Sequence, residues 1–435
     1  MRKFFRFDVL GTDYKKEIIG GLTTFFAMAY IVIVNPAILE KGGFPREAMV
    51  TATIVASVMG TLMMALYARR PFAIAPYMGE NAFVAFTVCL GMGYRWETGL
   101  GAVFFGGVIF VIITACRIRS WIARAIPESL KMSFSVGIGF FIMFIGLNET
   151  GIVRMGLEGA PVKIGQLSAA GPLLGIFCIV LISILMIRRI TGAIIIGMLA
   201  TTIIAFIVGA AQAPSRIFSA PPSLSPLLFK LDLAGALSFE FLPVLLVLFI
   251  LDFVDTMGTL IGVSARAGLL DKNRNLPEIE KSLMADAVAT VTGALAGTTT
   301  TGAYIESAAG IEAGARSGFA SVVTALMFIL CLFVAPLLVS VPPSAYGAAL
   351  IVVGFLMISP IKEIPFQDYS ELFPSVANIA LMSFTYNIGF GMAAGFVLYP
   401  LFKLISGRAR ELTAGSWVLF LMAVLLFIFY PYERV

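Results

Sequence analysis

The sequence predicts an all-α polytopic membrane protein of fourteen transmembrane segments, built as two inverted seven-helix repeats. The third and tenth segments are each broken into a short extended stretch and a half helix. Three observations carry that prediction. Hydrophobic residues make up 59% of the 435 residues and charged ones 13%, with mean hydropathy +0.98, far outside the composition of a soluble domain. Apolar runs of about 17–25 residues, the length that crosses roughly 30 Å of hydrocarbon, recur from end to end and leave no room for a soluble domain. Basic residues collect in alternate connections.

In chain order the runs fall near residues 18–39, 47–67, 73–92, 98–116, 128–147, 171–187, 193–211, 237–262, 282–296, 298–314, 317–339, 345–361, 373–387 and 388–405. With the N-terminus in the cytoplasm, the inside segments hold 22 Lys and Arg residues and the outside ones 7, Arg434 aside, the bias that the positive-inside rule requires of a correct count. Both ends of the unit then face the cytoplasm, and the protein belongs in a cytoplasmic (inner) membrane. The basic start MRKFFRFDVLGTDYKKE lacks a small-residue cleavage site after its first apolar run, so no removed signal peptide is read there. Residues 415–430 are apolar but short, and form either a fifteenth thin span or an interfacial helix.

The third segment opens PFAIAPYMGENAFVAF, where Pro71, Pro76 and Gly79 interrupt the run, FAIA reads as extended chain, and a half helix starts near Met78. The tenth repeats the layout, with the β-branched run 298–301, then Gly302, then a half helix carrying Glu306. Irregular backbone is not tolerated against lipid, so both breaks belong inside protein or beside water. Asn81 and Glu306 stand 225 positions apart (306 − 81), and the same step carries Tyr30 in the first segment onto Asp255 in the eighth. Seven segments separate each pair. Seven is odd, so the second copy is inverted, and paired broken segments in inverted repeats point to a transporter site near the midplane.

A carboxylate at membrane depth is expensive and marks a functional candidate. Asp252 and Asp255 stand three apart on one face of the eighth segment, with Thr256 and Thr259 within a turn. Two acids this close repel, so one of them is a candidate proton carrier. Neither they nor Glu306 have a basic residue in their own stretches, 241–261 and 285–315, which removes ion pairing within the segment and leaves a helix cap as the structural alternative. Asp286, near the cytoplasmic end of the ninth segment, reads equally as a functional acid or as a residue that simply faces water or caps a helix. Glu312 is expected to pair with Arg316 at helical spacing. The hydroxyls of 298–301, Thr301 among them, either fill a strand or line a polar path. Asn81 can donate and accept at once, and Glu80 beside it either serves the site or complements the positive end of the half helix.

The chain contains no histidine, and Cys89, Cys116, Cys178 and Cys331 lie scattered without CxxC spacing. No metal site, disulfide or nucleophile–base pair is expected, so the reading is a carrier that is not an enzyme, with no cofactor and no metal. Net charge +5 serves for orientation and is not read as a nucleic-acid partner.

Five stretches, EIIGGLTTFFAMAYIVIVNPAIL from Glu17, APYMGENAF from Ala75, LGMGYRWETGLGAVFFGGVIF from Leu90, DFVDTMGTLIGVSARAGLLD from Asp252 and TTTTGAYIESAAGIEAGARSG from Thr298, resemble the AzgA-like purine permeases. These are the hypoxanthine, guanine and adenine branch of the nucleobase/cation symporter (xanthine/uracil permease) superfamily. The resemblance implies a core domain (1–126 and 236–340) and a gate domain (127–235 and 341–435), with purine bound between the half helices of the core and the core moving against the gate for alternating access. By motif match, Asn81, Asp252, Asp255 and Glu306 take the family's substrate-binding and coupling places. The chain departs from the family's third-segment pattern at Tyr77 and Glu80, which replace a glycine and an apolar residue.

A purine is a flat heterocycle whose edges alternate N–H donors with nitrogen or carbonyl acceptors. Asp255 and Glu306 suit its N–H and amino protons, Asn81 suits a carbonyl or ring nitrogen, and Tyr77, Phe26 or Phe83 can supply an apolar wall. The candidate substrate-contacting residues are therefore Asn81, Asp255, Glu306, Asp252, Glu80, Tyr77 and Thr301, with Asp252 or Asp255 loading the coupled proton. The expected function is import of guanine, hypoxanthine or adenine by proton symport. Sodium coupling stays open, because carboxylate, hydroxyl and carbonyl oxygens also suit that ion. A small anion is the alternative on a related architecture, although no Arg or Lys stands beside either half helix. Distant analogy adds a homodimer through the gate domain.

Overall fold

Backbone polar groups in hydrocarbon must be satisfied within their own segment, and apolar runs of this length accordingly fold as helices. The computed structural model describes residues 1–116, 126–157, 160–266, 269 and 276–429. Arg117, Arg119, Arg124, Lys272, Arg274 and Arg434 of the charge count lie outside the described residues, as do residue 430 and most of the end of the motif that opens at Asp252. Among the described residues nine helices are long and apolar enough to cross a membrane, and Met78–Gly91, Ala193–Ile207 and Ala414–Ile428 are shorter apolar helices. The protein is a helical, multi-pass membrane protein.

The first of the nine, Tyr14–Lys41, is interrupted near its middle. Tyr14–Met28 stops at a turn on Ala29 and Tyr30, and Ile31–Lys41 resumes beyond it. Among the described residues, four short strands interrupt the helices: β1 (Ile74–Pro76), β2 (Val153–Leu157), β3 (Ala160–Ile164) and β4 (Thr301–Ala303). β2 and β3 form an antiparallel hairpin in the connection after helix Glu128–Glu149, which no alternation in the sequence announced. β1 and β4 pair with each other, antiparallel, with Ile74 opposite Ala303, Ala75 opposite Gly302 and Pro76 opposite Thr301.

That pairing is nearly two-fold symmetric down to single atoms. Tyr77 N–H donates to the Thr300 carbonyl (3.0 Å), and Tyr304 N–H to the Ala73 carbonyl (2.9 Å). The Tyr77 hydroxyl donates to the Ala303 carbonyl (3.2 Å) and the Tyr304 hydroxyl to the Pro76 carbonyl (2.5 Å), and the two rings stack at 6.1 Å. One threonine clamps each strand from the preceding helix. Ile74 N–H donates to Thr61 Oγ1 (2.9 Å), whose hydroxyl returns to the Ile74 carbonyl (3.1 Å). Thr301 N–H donates to Thr290 Oγ1 (3.2 Å), whose hydroxyl returns to the Thr301 carbonyl (2.9 Å). Equivalent residues are thus 227 apart (304 − 77), not the 225 expected from matching Asn81 with Glu306. The backbone sets the register, and by it Glu306 matches Gly79.

Gly302 sits where the strands cross, and a Cβ there would stand 2.2 Å from the Tyr77 ring. Gly302→Ala is expected to push Tyr77 off its stack and cost about 1–3 kcal/mol, read as a lower unfolding midpoint in detergent.

The helices pack in two groups. In one, Tyr14–Met28 lies on Gly318–Cys331 and Ser307–Glu312, Arg46–Met63 on Ile279–Ala296 and Gly318–Cys331, and Trp96–Ala115 on Ile279–Ala296 and Leu242–Arg266. Buried Glu17 ties this group together by accepting the backbone N–H groups of Arg316 (2.9 Å), Ser317 (3.2 Å) and Ala320 (3.2 Å) at the start of Gly318–Cys331, a capping role reached from another segment. In the other group Glu128–Glu149 packs on Pro343–Met357 and Tyr369–Phe384, Tyr369–Phe384 on Ile388–Ile405, and Ala170–Ile187 on Pro343–Met357 and Ala193–Ile207. Its fully buried Lys403 lies 2.6 Å from Glu371 and 2.8 Å from Glu411. Stretch 415–430 is helical over Ala414–Phe429 and lies along Ile388–Ile405, touching Leu242–Arg266. The groups meet where the Phe86 ring contacts Phe141 and Tyr386 and where Lys41 pairs with Glu149 at 2.9 Å.

Candidate functional site

The two breaks bring the polar residues of four helices to one place. After β1 the chain turns into Met78–Ala82, which continues as a π-type helix over Phe83–Gly91, so Glu80 and Asn81 both sit, fully buried, one turn from the strand crossing. After β4 and Tyr304 the chain makes a turn through Ile305 and Glu306 before helix Ser307–Glu312. Glu306 therefore stands at the cap position of the second half helix and not on it.

Each expected residue has a definite partner or a definite lack of one. The Thr299 hydroxyl donates to Asn81 Oδ1, while Asn81 Nδ2 has no hydrogen-bond partner. Half-buried Glu306 accepts from the Tyr30 hydroxyl at 2.6 Å, so it faces the turn in the first segment, and Asn81 faces Thr299. Asp252 is buried with Oδ2 3.4 Å from Thr290 Oγ1 and Oδ1 unpartnered. Asp255 is half-buried and, with Asp252 and Asp286, lies within electrostatic reach of Glu80. Neither oxygen of Glu80 is hydrogen-bonded. Buried Tyr77 lies 3.4 Å from Thr256 Oγ1. Thr301 is held in β4 by its backbone, and its hydroxyl has no partner. Phe83 is fully buried and packs against Gly389 of the other group, whereas Phe26 is 45% exposed beside Gly192.

Asp286 carries more of the site than the sequence reading assigns to it. It is fully buried, accepting the Ala303 N–H (2.8 Å) and the Thr256 hydroxyl (2.5 Å), so it neither faces water nor caps its own helix. It satisfies the amide that β1 does not present, since the equivalent of Ala303 is Pro76, which has no N–H. Asn35, unremarked in the sequence, donates to Thr53 (2.7 Å) and Thr298 (3.1 Å) and ties the second break to the first two segments. The signal for both was a polar residue inside a run of small or apolar ones, but their partners lie in other segments. Arg316 donates to the carbonyls of Ile311 (2.6 Å) and Ala315 (2.7 Å), at and just beyond the C-terminal end of the short helix, rather than to Glu312.

The arrangement leaves unpaired donors and acceptors, Glu80 Oε1 and Oε2, Asn81 Nδ2, Asp252 Oδ1 and Thr301 Oγ1, around one aromatic pair. Buried polar atoms are ordinarily satisfied, so this unsatisfied set makes the region between the two breaks the candidate place for a polar ligand.

Comparison with known proteins gives the family and the fold. The Permease family profile Xan_ur_permease matches residues 15–398. The guanine/hypoxanthine permease PbuG of Bacillus subtilis is 42% identical over 440 residues, covering 99% of this chain and 100% of that protein. The adenine permease AdeQ of Escherichia coli is 39% identical over 413 residues, covering 95% and 92%. Among solved structures, the transmembrane domain of the cyanobacterial bicarbonate transporter BicA shares the fold, with TM-score 0.65 at 16% identity over 88% of this chain and 97% of that one. Matched along nearly its whole length by a family profile and by full-length permeases, the chain belongs to the xanthine/uracil Permease family and is a membrane transporter.

Proposed function

We propose that the chain is a secondary active transporter that imports a purine nucleobase by proton symport. The observation that carries this reading is the set of unpartnered buried donors and acceptors between the two breaks, on a chain whose full-length relatives are guanine/hypoxanthine and adenine permeases. Asn81, Glu80, Asp252, Asp255, Thr301 and Tyr77 line the substrate position, with Glu306 held at its edge by Tyr30. Both donors and acceptors are present, as a neutral heterocycle requires, and among the described residues no Arg or Lys hydrogen-bonds into the group, which disfavours a small anion.

In this reading the fourteen segments form two inverted repeats, and the near two-fold pairing of β1 with β4 supports the inversion. The first packing group is the core domain (1–126 and 236–340) and the second the gate (127–235 and 341–435), with the substrate carried by the core as it moves against the gate. The N-terminus lies in the cytoplasm. Asp255, half-buried where Asp252 is not, is the better placed of the two to exchange a proton with water.

The test is uptake of radiolabelled guanine, hypoxanthine, adenine, uracil and bicarbonate into liposomes carrying the purified chain, under imposed pH or sodium gradients. Purine uptake driven by an acidic exterior is expected. Bicarbonate uptake with no nucleobase uptake overturns the substrate assignment, and purine accumulation driven by sodium alone overturns the proton.

A further inference from the structure

Of the described acids grouped at the two breaks, Glu80 is the one that is fully buried with neither carboxyl oxygen hydrogen-bonded. Asp286 has both oxygens engaged, Asp252 approaches Thr290 with one, and Glu306 is met by Tyr30. No hydrogen bond to another residue accounts for Glu80. The repeat places it opposite Ser307 (307 − 80 = 227), and Ser307 has such a bond, since its Oγ accepts the Ala73 N–H at 3.0 Å. Glu80 returns nothing comparable to the second strand.

The groups that face it decide its charge. Helix Leu242–Arg266 contributes Asp255 and Asp252, helix Ile279–Ala296 contributes Asp286, and the second break contributes the Tyr304 hydroxyl. From helix Glu128–Glu149 the neighbouring contact is apolar, Ile138 against Gly79. An ionised carboxylate buried without a hydrogen bond to another residue and among three further acids has only the positive end of its own short half helix to set against its lost hydration. A protonated carboxyl has no such difficulty, and it presents one O–H donor and one carbonyl acceptor side by side. That is the complement of the adjoining donor and acceptor found along a purine edge.

We propose that Glu80 is a substrate ligand that works as a neutral carboxyl, offering donor and acceptor together to one edge of the purine next to Asn81. The proposal rests on the nucleobase-transport reading above. It makes Glu80 a specificity element particular to a chain with this residue in its first half helix, distinct from the acids that carry the coupled proton.

Three proteins test it in liposomes with radiolabelled guanine, hypoxanthine and adenine: the unaltered chain, Glu80→Gln and Glu80→Leu. The glutamine amide also offers a donor beside an acceptor, so its KM is expected within about threefold of the unaltered chain, while leucine raises KM about tenfold or more. Leucine also removes an unpaired buried acid, so the unfolding midpoint of the empty protein is expected to hold or rise. Leucine with an unchanged KM shows that Glu80 does not touch substrate, and glutamine as impaired as leucine shows that an ion is required; either overturns the proposal. A leucine variant with a lowered midpoint shows a structural duty and overturns it too. Failure of the unaltered chain to take up any nucleobase overturns the transport reading itself, a result separable from all of these.

Discussion

Asp286→Ala is expected to lower the unfolding midpoint sharply and to abolish transport, although Asp286 lies behind the proposed substrate position. Its two oxygens hold the Ala303 N–H and the Thr256 hydroxyl, and Thr256 in turn lies beside Tyr77. Alanine strands a backbone amide in the interior, which costs about 1–3 kcal/mol, and releases Thr256 and with it one contact of Tyr77. The total expected is about 2–4 kcal/mol. Asp286→Asn keeps an acceptor for Ala303 and is expected to fall between alanine and the unaltered chain. Melting in detergent, compared with uptake at a temperature where all three are folded, separates the two effects. Equal midpoints for alanine and the unaltered chain would show that the amide finds another acceptor.

The second large effect is on energetics rather than on rate. With the exterior one pH unit below the interior, symport of one proton sustains about a tenfold purine gradient. Asp255→Asn is expected to bring that ratio to about one, since one pH unit of driving force is then no longer coupled, while exchange of labelled for unlabelled purine continues. Asp252→Asn, with its Oδ2 near the threonine that clamps β4, is expected to weaken exchange as well. Liposomes with a set pH gradient, assayed for both net accumulation and exchange, give the answer. Retained tenfold accumulation in both variants would move the proton to another group.

Much of this was legible in the sequence, for a physical reason. Hydrocarbon admits few backbone solutions, so the apolar runs, the proline and glycine interruptions at 71–79 and the threonine run before Gly302 could be read directly as helices and breaks. Asp252, Asp255 and Glu80 stood out because an acid in such a run is rare. What escaped were relations between segments. The turn at Ala29 and Tyr30 carries no glycine or proline, and its purpose, presenting Tyr30 to Glu306, depends on a residue 276 positions away. Asp286 looked ambiguous because both its partners lie in other segments. The repeat was visible in layout, but side-chain matching set its register two residues short. The duplicated feature is a pattern of backbone pairing, and its polar side chains are not the same in the two copies.

The pairing of β1 with β4 also has a consequence for how the chain is made. Tyr77 N–H finds its acceptor on Thr300, 223 residues later (300 − 77). Until the ribosome has delivered the tenth segment, the first strand has no mate, and its open amides and carbonyls cannot rest in lipid. A nascent chain that ends before residue 300 must therefore keep that stretch in water, in the insertion machinery or against a chaperone. Truncation between residues 77 and 300 should leave an inserted product whose first strand lacks its mate and shows the backbone groups that the completed protein hides at its centre.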